Sequence, residues 1–155
     1  MAKILVAYFS ASGVTAAAAR GIAAAVGGEL FEIVPAERYT SADLDWTDRK
    51  SRSTIEMNDE KCRPAMAVPV PDLGEFDTVF VGFPVWWYVE PRIVDTFLES
   101  ARLAGKKVIP FCTSGGSGIS GAERRMKELC PLAVWRRGKR VGADAGEWAK
   151  SVIAE

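Results

Sequence analysis

Residues 3–26 read KILVAYFSASGVTAAAARGIAAAV, and the fold class follows from them. Ile4, Leu5, Val6, Ala7, Tyr8 and Phe9 form an almost unbroken apolar run, as in a strand buried on both faces. Ser10, Ala11, Ser12, Gly13, Val14 and Thr15 come next. Apolar and small residues then recur at Val14, Ala17, Ala18, Gly21, Ile22, Ala25 and Val26, the spacing of one helix stripe. The stretch is therefore strand, hydroxyl-rich loop, helix. A helix start presents free N–H groups and roughly half a positive charge. Hydroxyl donors beside it make a seat for a phosphate. Serine and threonine are also ordinary N-caps, and the spacing leaves both uses open. The loop has neither the G-x-x-x-x-G-K-[ST] pattern nor G-x-G-x-x-G, so a single terminal phosphate held by neutral donors is the most it offers.

A length of 155 residues is expected to form one domain, residues 1–155. With 48% apolar residues, 26% charged residues and a formal net charge of zero, the composition argues against a general nucleic-acid binder. No apolar run reaches the length of a membrane span. The first strand begins almost at once, so no signal peptide is expected. Cys62, Cys112 and Cys130 are far apart and form no C-x-x-C, which suits a cytoplasmic protein. There is no histidine. That removes Ser-His and Cys-His nucleophile pairs and H-E-x-x-H metal sites, so the chemistry is expected to come from a cofactor and no metal is expected.

Further along, strands are expected over 29–34, 78–83, 107–112 and 132–135. Helices are expected over 92–104, after Ile119, and from Asp144, where Glu147 completes a capping-box pattern. Residues 36–71 are polar and proline-punctuated. A helix between Ser41 and Glu60 is expected there, with Leu44, Ser51, Ile55 and Cys62 inward, on a surface excursion of scaffold value. Residues 136–140, RRGKR, read as a basic turn. The alternation implies a parallel sheet covered on both faces, with ligands at the carboxyl ends of the strands.

Three strand-to-helix joins meet at that edge. The second is Pro84-Val85-Trp86-Trp87-Tyr88-Val89-Glu90-Pro91. Three aromatics between prolines suit a stacking platform for a flat ring, although one tryptophan plugging the core would also use them. The third is Thr113-Ser114-Gly115-Gly116-Ser117-Gly118, where glycines allow close backbone approach. Cys112 lacks the arginine six residues on that a phosphatase cysteine needs, since position 118 is glycine. It reads as a buried small hydrophobe.

S-x-S-G-x-T, G-F-P-V-W-W and C-T-S-G-G-S-G, in that order, resemble the flavodoxin-like FMN-binding family, and most closely its short members with a W-W loop and a T-S-G-G-S-G loop. The resemblance implies an α/β fold, a three-layer αβα sandwich with a five-stranded parallel sheet of order 2-1-3-4-5. It implies non-covalent FMN. Ser10, Ser12, Val14 and Thr15, with the backbone of Ala11 and Gly13, would hold the phosphate. Pro84, Val85, Trp86, Trp87 and Tyr88 would border the isoalloxazine. Thr113, Ser114, Gly115, Gly116 and Gly118 would meet its pyrimidine edge or the ribityl chain. Two positions depart from the pattern. Val14 stands where the family often has Asn. Tyr88 stands where relatives often have Gly, and its side chain should make a backbone turn toward the flavin harder.

The expected function is an FMN-binding oxidoreductase that passes electrons from a reductant such as NAD(P)H to a small acceptor such as a quinone. No catalytic side chain is named. The alternative is a flavodoxin-type electron carrier or partner module that docks on a redox protein. The basic run is a candidate contact for an NADPH phosphate. Neither nucleic acid nor membrane is an expected partner, and oligomeric state is not legible.

Overall fold

A computed structural model describes residues 3–114 and 116–154. Strands β1 (Ile4–Tyr8), β2 (Glu29–Glu32), β3 (Thr78–Pro84), β4 (Lys107–Thr113), β5 (Val134–Trp135) and β6 (Lys139–Arg140) form one sheet in which every pairing is parallel. Its order is β2-β1-β3-β4-β5, with β6 also beside β4. Helices are α1 (Val14–Val26), α2 (Arg52–Met57), α3 (Arg92–Ser100), α4 (Ser120–Leu129) and α5 (Ala145–Ile153).

Alternation along the central strands produces the three layers. Val6, Phe80, Ile109 and Phe111 pack with Ala18, Ile22, Ala145 and Ala149 of α1 and α5. Leu5, Val79, Val81 and Val108 pack with Ile93, Phe97, Ala122 and Met126 of α3 and α4. Successive residues thus feed opposite cores, as the period of a strand requires. Gly82 sits opposite Phe111 across the β3–β4 pair. A Cβ there would lie 2.0 Å from the Phe111 ring, so this mid-strand glycine makes room for a buried aromatic.

Three expectations are corrected. The buried face of α1 is Thr15, Ala18, Ala19, Ile22 and Ala23, while Val14 is 60% exposed. In an alanine-rich helix a rotation of the stripe changes little in apparent hydrophobicity. Ala17 and Gly21 turn instead toward α5, where a Cβ on Gly146 would come within 3.2 Å of the Gly21 carbonyl oxygen. The excursion over 36–71 contains only the six-residue α2, capped by the Ser51 hydroxyl, and Ile55 is exposed. The capping box at α5 does not form: the Asp144 carboxylate accepts from Gly142 N–H and pairs with Lys139.

The basic run is also not a simple turn. Arg136 N–H donates to the Val108 carbonyl and Val141 N–H to that of Cys112, so the run climbs beside β4 as its edge partner. The edge strand breaks between β5 and β6 opposite Pro110. Proline has no N–H to offer there, and Gly138 passes so close that a Cβ would lie 2.4 Å from the Pro110 oxygen. Arg136 consequently lies beside Thr78 and Lys107, which begin their strands. It stands at the edge opposite the three loops, whereas Lys139 and Arg140 lie beside Phe111 and Cys112, next to the third loop.

Candidate functional site

The ends of β1, β3 and β4 are tied together at one edge. Phe9 N–H donates to Gly82 O at 2.9 Å and Val85 N–H to Thr113 O at 3.0 Å. Thr15 and Thr113 share a buried hydroxyl–hydroxyl bond of 2.8 Å, which joins the first loop to the third.

At the first loop, Ser12, Gly13 and Val14 are exposed and Ser10 and Ala11 half-buried. Gly13 takes φ 93° as the N-cap of α1, with no side-chain cap bond. Gly13 N–H donates to Ser10 Oγ at 3.0 Å. Glycine is what allows this left-handed residue, and leaving the cap position without a side chain keeps the first-turn N–H groups open to a ligand. A groove of about 670 Å³ begins here, lined by Ser12, Gly13, Thr113, Gly142 and Ala143 among others. Its donors are neutral hydroxyls and backbone amides at the positive end of a 13-residue helix. That donor set fits a phosphate monoester.

The second loop is a tight hairpin. Trp86 N–H donates to Val89 O at 3.0 Å and Val89 N–H to Trp86 O at 3.1 Å. Between them Trp87 and Tyr88 have φ of 48° and 70°. Both central residues are left-handed, the signature of a type I′ turn that normally takes Asn-Gly. The tyrosine at position 88 therefore does not prevent the glycine-like backbone. It adopts that backbone at a cost of about 1–3 kcal/mol per strained residue. The two tryptophans differ in role. Trp86 is half-buried and packs edge-on against Phe9 and Tyr39, with centroids 5.7 and 5.4 Å away. Trp87 and Tyr88 are 43% and 73% exposed.

At the third loop, Ser114 donates to the Ser117 carbonyl at 2.5 Å and accepts from Gly116 N–H at 3.3 Å. A Cβ on Gly116 or Gly118 would meet only open space, so packing does not require either glycine. Gly115 falls outside the described residues. Cys112 is fully buried, and burial pushes its thiol up to about 12, as an inert core residue.

The excursion over 36–71 reaches the site, which its composition did not suggest. Tyr39 stacks edge-on against Phe9 and Trp86, its hydroxyl donates to Glu56 Oε1, and the Arg52 guanidinium lies 3.8 Å over its ring. Burial, followed by the bond to Glu56, raises the Tyr39 phenol well above its ordinary range. Trp46, 72% exposed, lines a cavity of about 320 Å³ with Val85, Trp86, Trp87, Tyr88 and Ser117. A separate cleft of about 600 Å³ near Leu73, Arg102 and Lys106 lies at the far edge of the sheet and touches none of the three loops.

Behind the hairpin is a buried ionic cluster. Glu90 and Asp95 are fully buried. Arg125 donates to Asp95 Oδ2 at 3.0 Å and its Nε lies 3.5 Å from Glu90 Oε2, too far and misaligned for a hydrogen bond. Arg92 stands 3.7 Å from Asp95 and donates to the carbonyls of Glu56, Met57 and Asp59. Burial, then the neighbouring Asp95, pushes Glu90 up to about 9. A carboxylate at Glu90 would have no donor. A carboxylic acid there could donate to Asp95, which accounts for both the raised value and the missing partner.

The family model described as Flavodoxin matches residues 3–152. The chain belongs to the flavodoxin family. Among solved structures, a candidate flavoprotein from Bacteroides uniformis ATCC 8492 shares 49% identity over 99% of both chains, with a TM-score of 0.93. One from Bacteroides eggerthii DSM 20697 shares 47% over 100% of both, with a TM-score of 0.92. A flavoprotein of Lactobacillus acidophilus NCFM in complex with FMN shares the fold, with 22% identity over 96% of this chain and 99% of that one and a TM-score of 0.75. No curated protein matches. Among the described residues, no cluster of acidic, cysteine or histidine side chains could hold a metal, and no helix of this chain is long and apolar enough to cross a membrane.

Proposed function

We propose that this flavodoxin-family chain is an FMN-dependent oxidoreductase that takes electrons from a reductant and delivers them to a small acceptor such as a quinone. FMN is the cofactor that the family and the FMN complex of the Lactobacillus acidophilus relative support. The observation that carries the reading is the juxtaposition, at one sheet edge, of an uncapped helix start with a neutral donor set and an exposed aromatic hairpin. One suits the phosphate of FMN and the other its ring.

The chain's own residues have distinct tasks. Ser10, Ser12 and the backbone of Ala11, Gly13 and Val14 bind the phosphate. Thr15 and Thr113 lock two loops into one frame from beneath. Trp87 and Tyr88 present π faces, while Trp86 braces the hairpin through Phe9 and Tyr39. Ser114, Gly116 and Gly118 offer unobstructed backbone to the ring's polar edge, while the Thr113 and Ser114 hydroxyls hold the loop in place. Bound FMN supplies the electron-transfer chemistry.

Titration of flavin-free protein tests the site. FMN should bind with quenched fluorescence and riboflavin about tenfold more weakly, a difference of about 1.4 kcal/mol. Equal affinity for the two would remove the phosphate seat. The tryptophans should separate. Trp87→Ala should weaken FMN binding about two- to twelvefold, as loss of about 0.5–1.5 kcal/mol of stacking implies. Trp86→Ala should instead lower the melting temperature, because that ring is wedged between Phe9 and Tyr39.

The alternative reading, a carrier that works only with a docked redox protein, is favoured by the exposed aromatics at the site rim. Stopped-flow mixing of reduced holoprotein with a simple benzoquinone separates the two readings. Rapid, saturable oxidation without a partner supports the enzyme. Oxidation that stays slow and linear in quinone supports the carrier.

A further inference from the structure

Trp46 is a large apolar side chain that the core does not use, 72% exposed on a segment with no regular structure around it. Its position is nonetheless firmly built. Thr40 and Asp43 exchange bonds, Thr40 N–H to Asp43 Oδ2 at 2.9 Å and Asp43 N–H to Thr40 Oγ1 at 3.1 Å. Asp45 accepts from both the N–H and the hydroxyl of Thr47, on either side of the tryptophan. Asp48 N–H donates to Asp45 O, and Thr54 Oγ1 donates to Asp48 O. Stacked turns of this kind hold a backbone in place without helix or sheet.

The segment is also latched to the aromatic hairpin from two sides. Tyr39 packs on Trp86 in front of it, and behind it Arg92, two residues past Glu90, ties down the carbonyls of Glu56, Met57 and Asp59. Between these latches, the indole of Trp46 and the side chains of Trp87 and Tyr88 line one cavity of about 320 Å³, a size suited to a small-molecule ring system. Aromatic surface supplied from two remote parts of the chain encloses a flat guest better than a single platform does.

From this arrangement we propose that Trp46 is a cofactor-binding residue, a second wall of an aromatic slot that grips the FMN ring together with Trp87 and Tyr88. The inference rests on the reading of this site as an FMN site. It gives the excursion a direct binding role in place of a scaffold role.

The test compares wild type, Trp46→Ala and Trp46→Phe, each titrated flavin-free with FMN and with lumiflavin, the ring without its ribityl phosphate. Trp46→Ala should weaken FMN at least fivefold and lumiflavin by the same factor, because the lost contact is to the ring. Trp46→Phe should recover most of both. The melting temperature of the unliganded protein should not change, since the indole is outside the core. FMN affinity within twofold of wild type in Trp46→Ala would overturn the inference and leave the FMN site standing. The same affinity with a raised Michaelis constant for quinone would also overturn it, and would assign Trp46 to the acceptor instead. No FMN binding by the unaltered protein would overturn both.

Discussion

Gly121→Ala is expected to weaken FMN binding about tenfold while leaving the melting temperature almost unchanged. A Cβ at Gly121 would lie 2.5 Å from the Tyr88 carbonyl oxygen. One side must retreat by roughly 1 Å to restore ordinary contact. Helix α4 is the side that holds. Its neighbouring Ala122 and its Met126 are fully buried in the core beneath the sheet. The hairpin is the side that yields. Its two central residues are exposed and already carry left-handed strain. Displacing the hairpin weakens the stacking that its aromatics provide, about 0.5–1.5 kcal/mol per contact, or about tenfold in affinity. Stability moves little, because alanine gains about 0.5–1 kcal/mol over glycine within a helix and offsets the repacking of an exposed turn. Equilibrium titration beside a thermal melt checks both halves. Unchanged FMN affinity would mean that the hairpin does not wall the cofactor.

This contact was invisible in the sequence, because nothing in Gly121 announces that another loop lies on it. The elements themselves were legible for a simple reason. Strands β1, β3 and β4 are buried on both faces, and such strands read as continuous apolar runs. The loops were legible because strand-to-helix joins of a parallel sheet must converge at one edge. What failed were features held by other forces. The excursion is ordered by Asx-type and hydroxyl bonds at Thr40, Asp43, Asp45, Asp48 and Ser51, which have no hydrophobic period. Their clustering was the one available signal of a rigid segment. Strand β6 is two charged, exposed residues on an edge, and its pairing depends on where Pro110 interrupts the strand beside it. Trp46 and Tyr39 were thus missed as site residues although both are aromatic, since only tertiary structure brings them to Trp86 and Trp87.

Glu90 carries the second large effect. It follows the strained hairpin directly, is fully buried, and faces Asp95 of α3 and Arg125 of α4, with Arg92 and Arg63 standing 3.7 and 3.9 Å from the same Asp95 oxygen that Arg125 holds. Burial raises it from an ordinary 4.5 to about 9. Between those values the folded protein holds a proton that the unfolded chain has released. Stability must therefore fall as pH rises. The loss begins near pH 4.5, grows across neutrality and is complete above about pH 9, and it amounts to a few kcal/mol at the order-of-magnitude level. Glu90→Gln keeps the shape, donates permanently to Asp95 and cannot ionise. It should abolish most of the decline between pH 5 and about 9 and melt higher than wild type at the alkaline end. Chemical denaturation of both proteins across that range decides the matter. Parallel pH profiles would show that Glu90 is not the titrating group. If the variant is flat and the wild type slopes, the same profile read on FMN affinity should follow it. The hairpin is anchored through Glu90, so ionisation that loosens the cluster also loosens the aromatic wall.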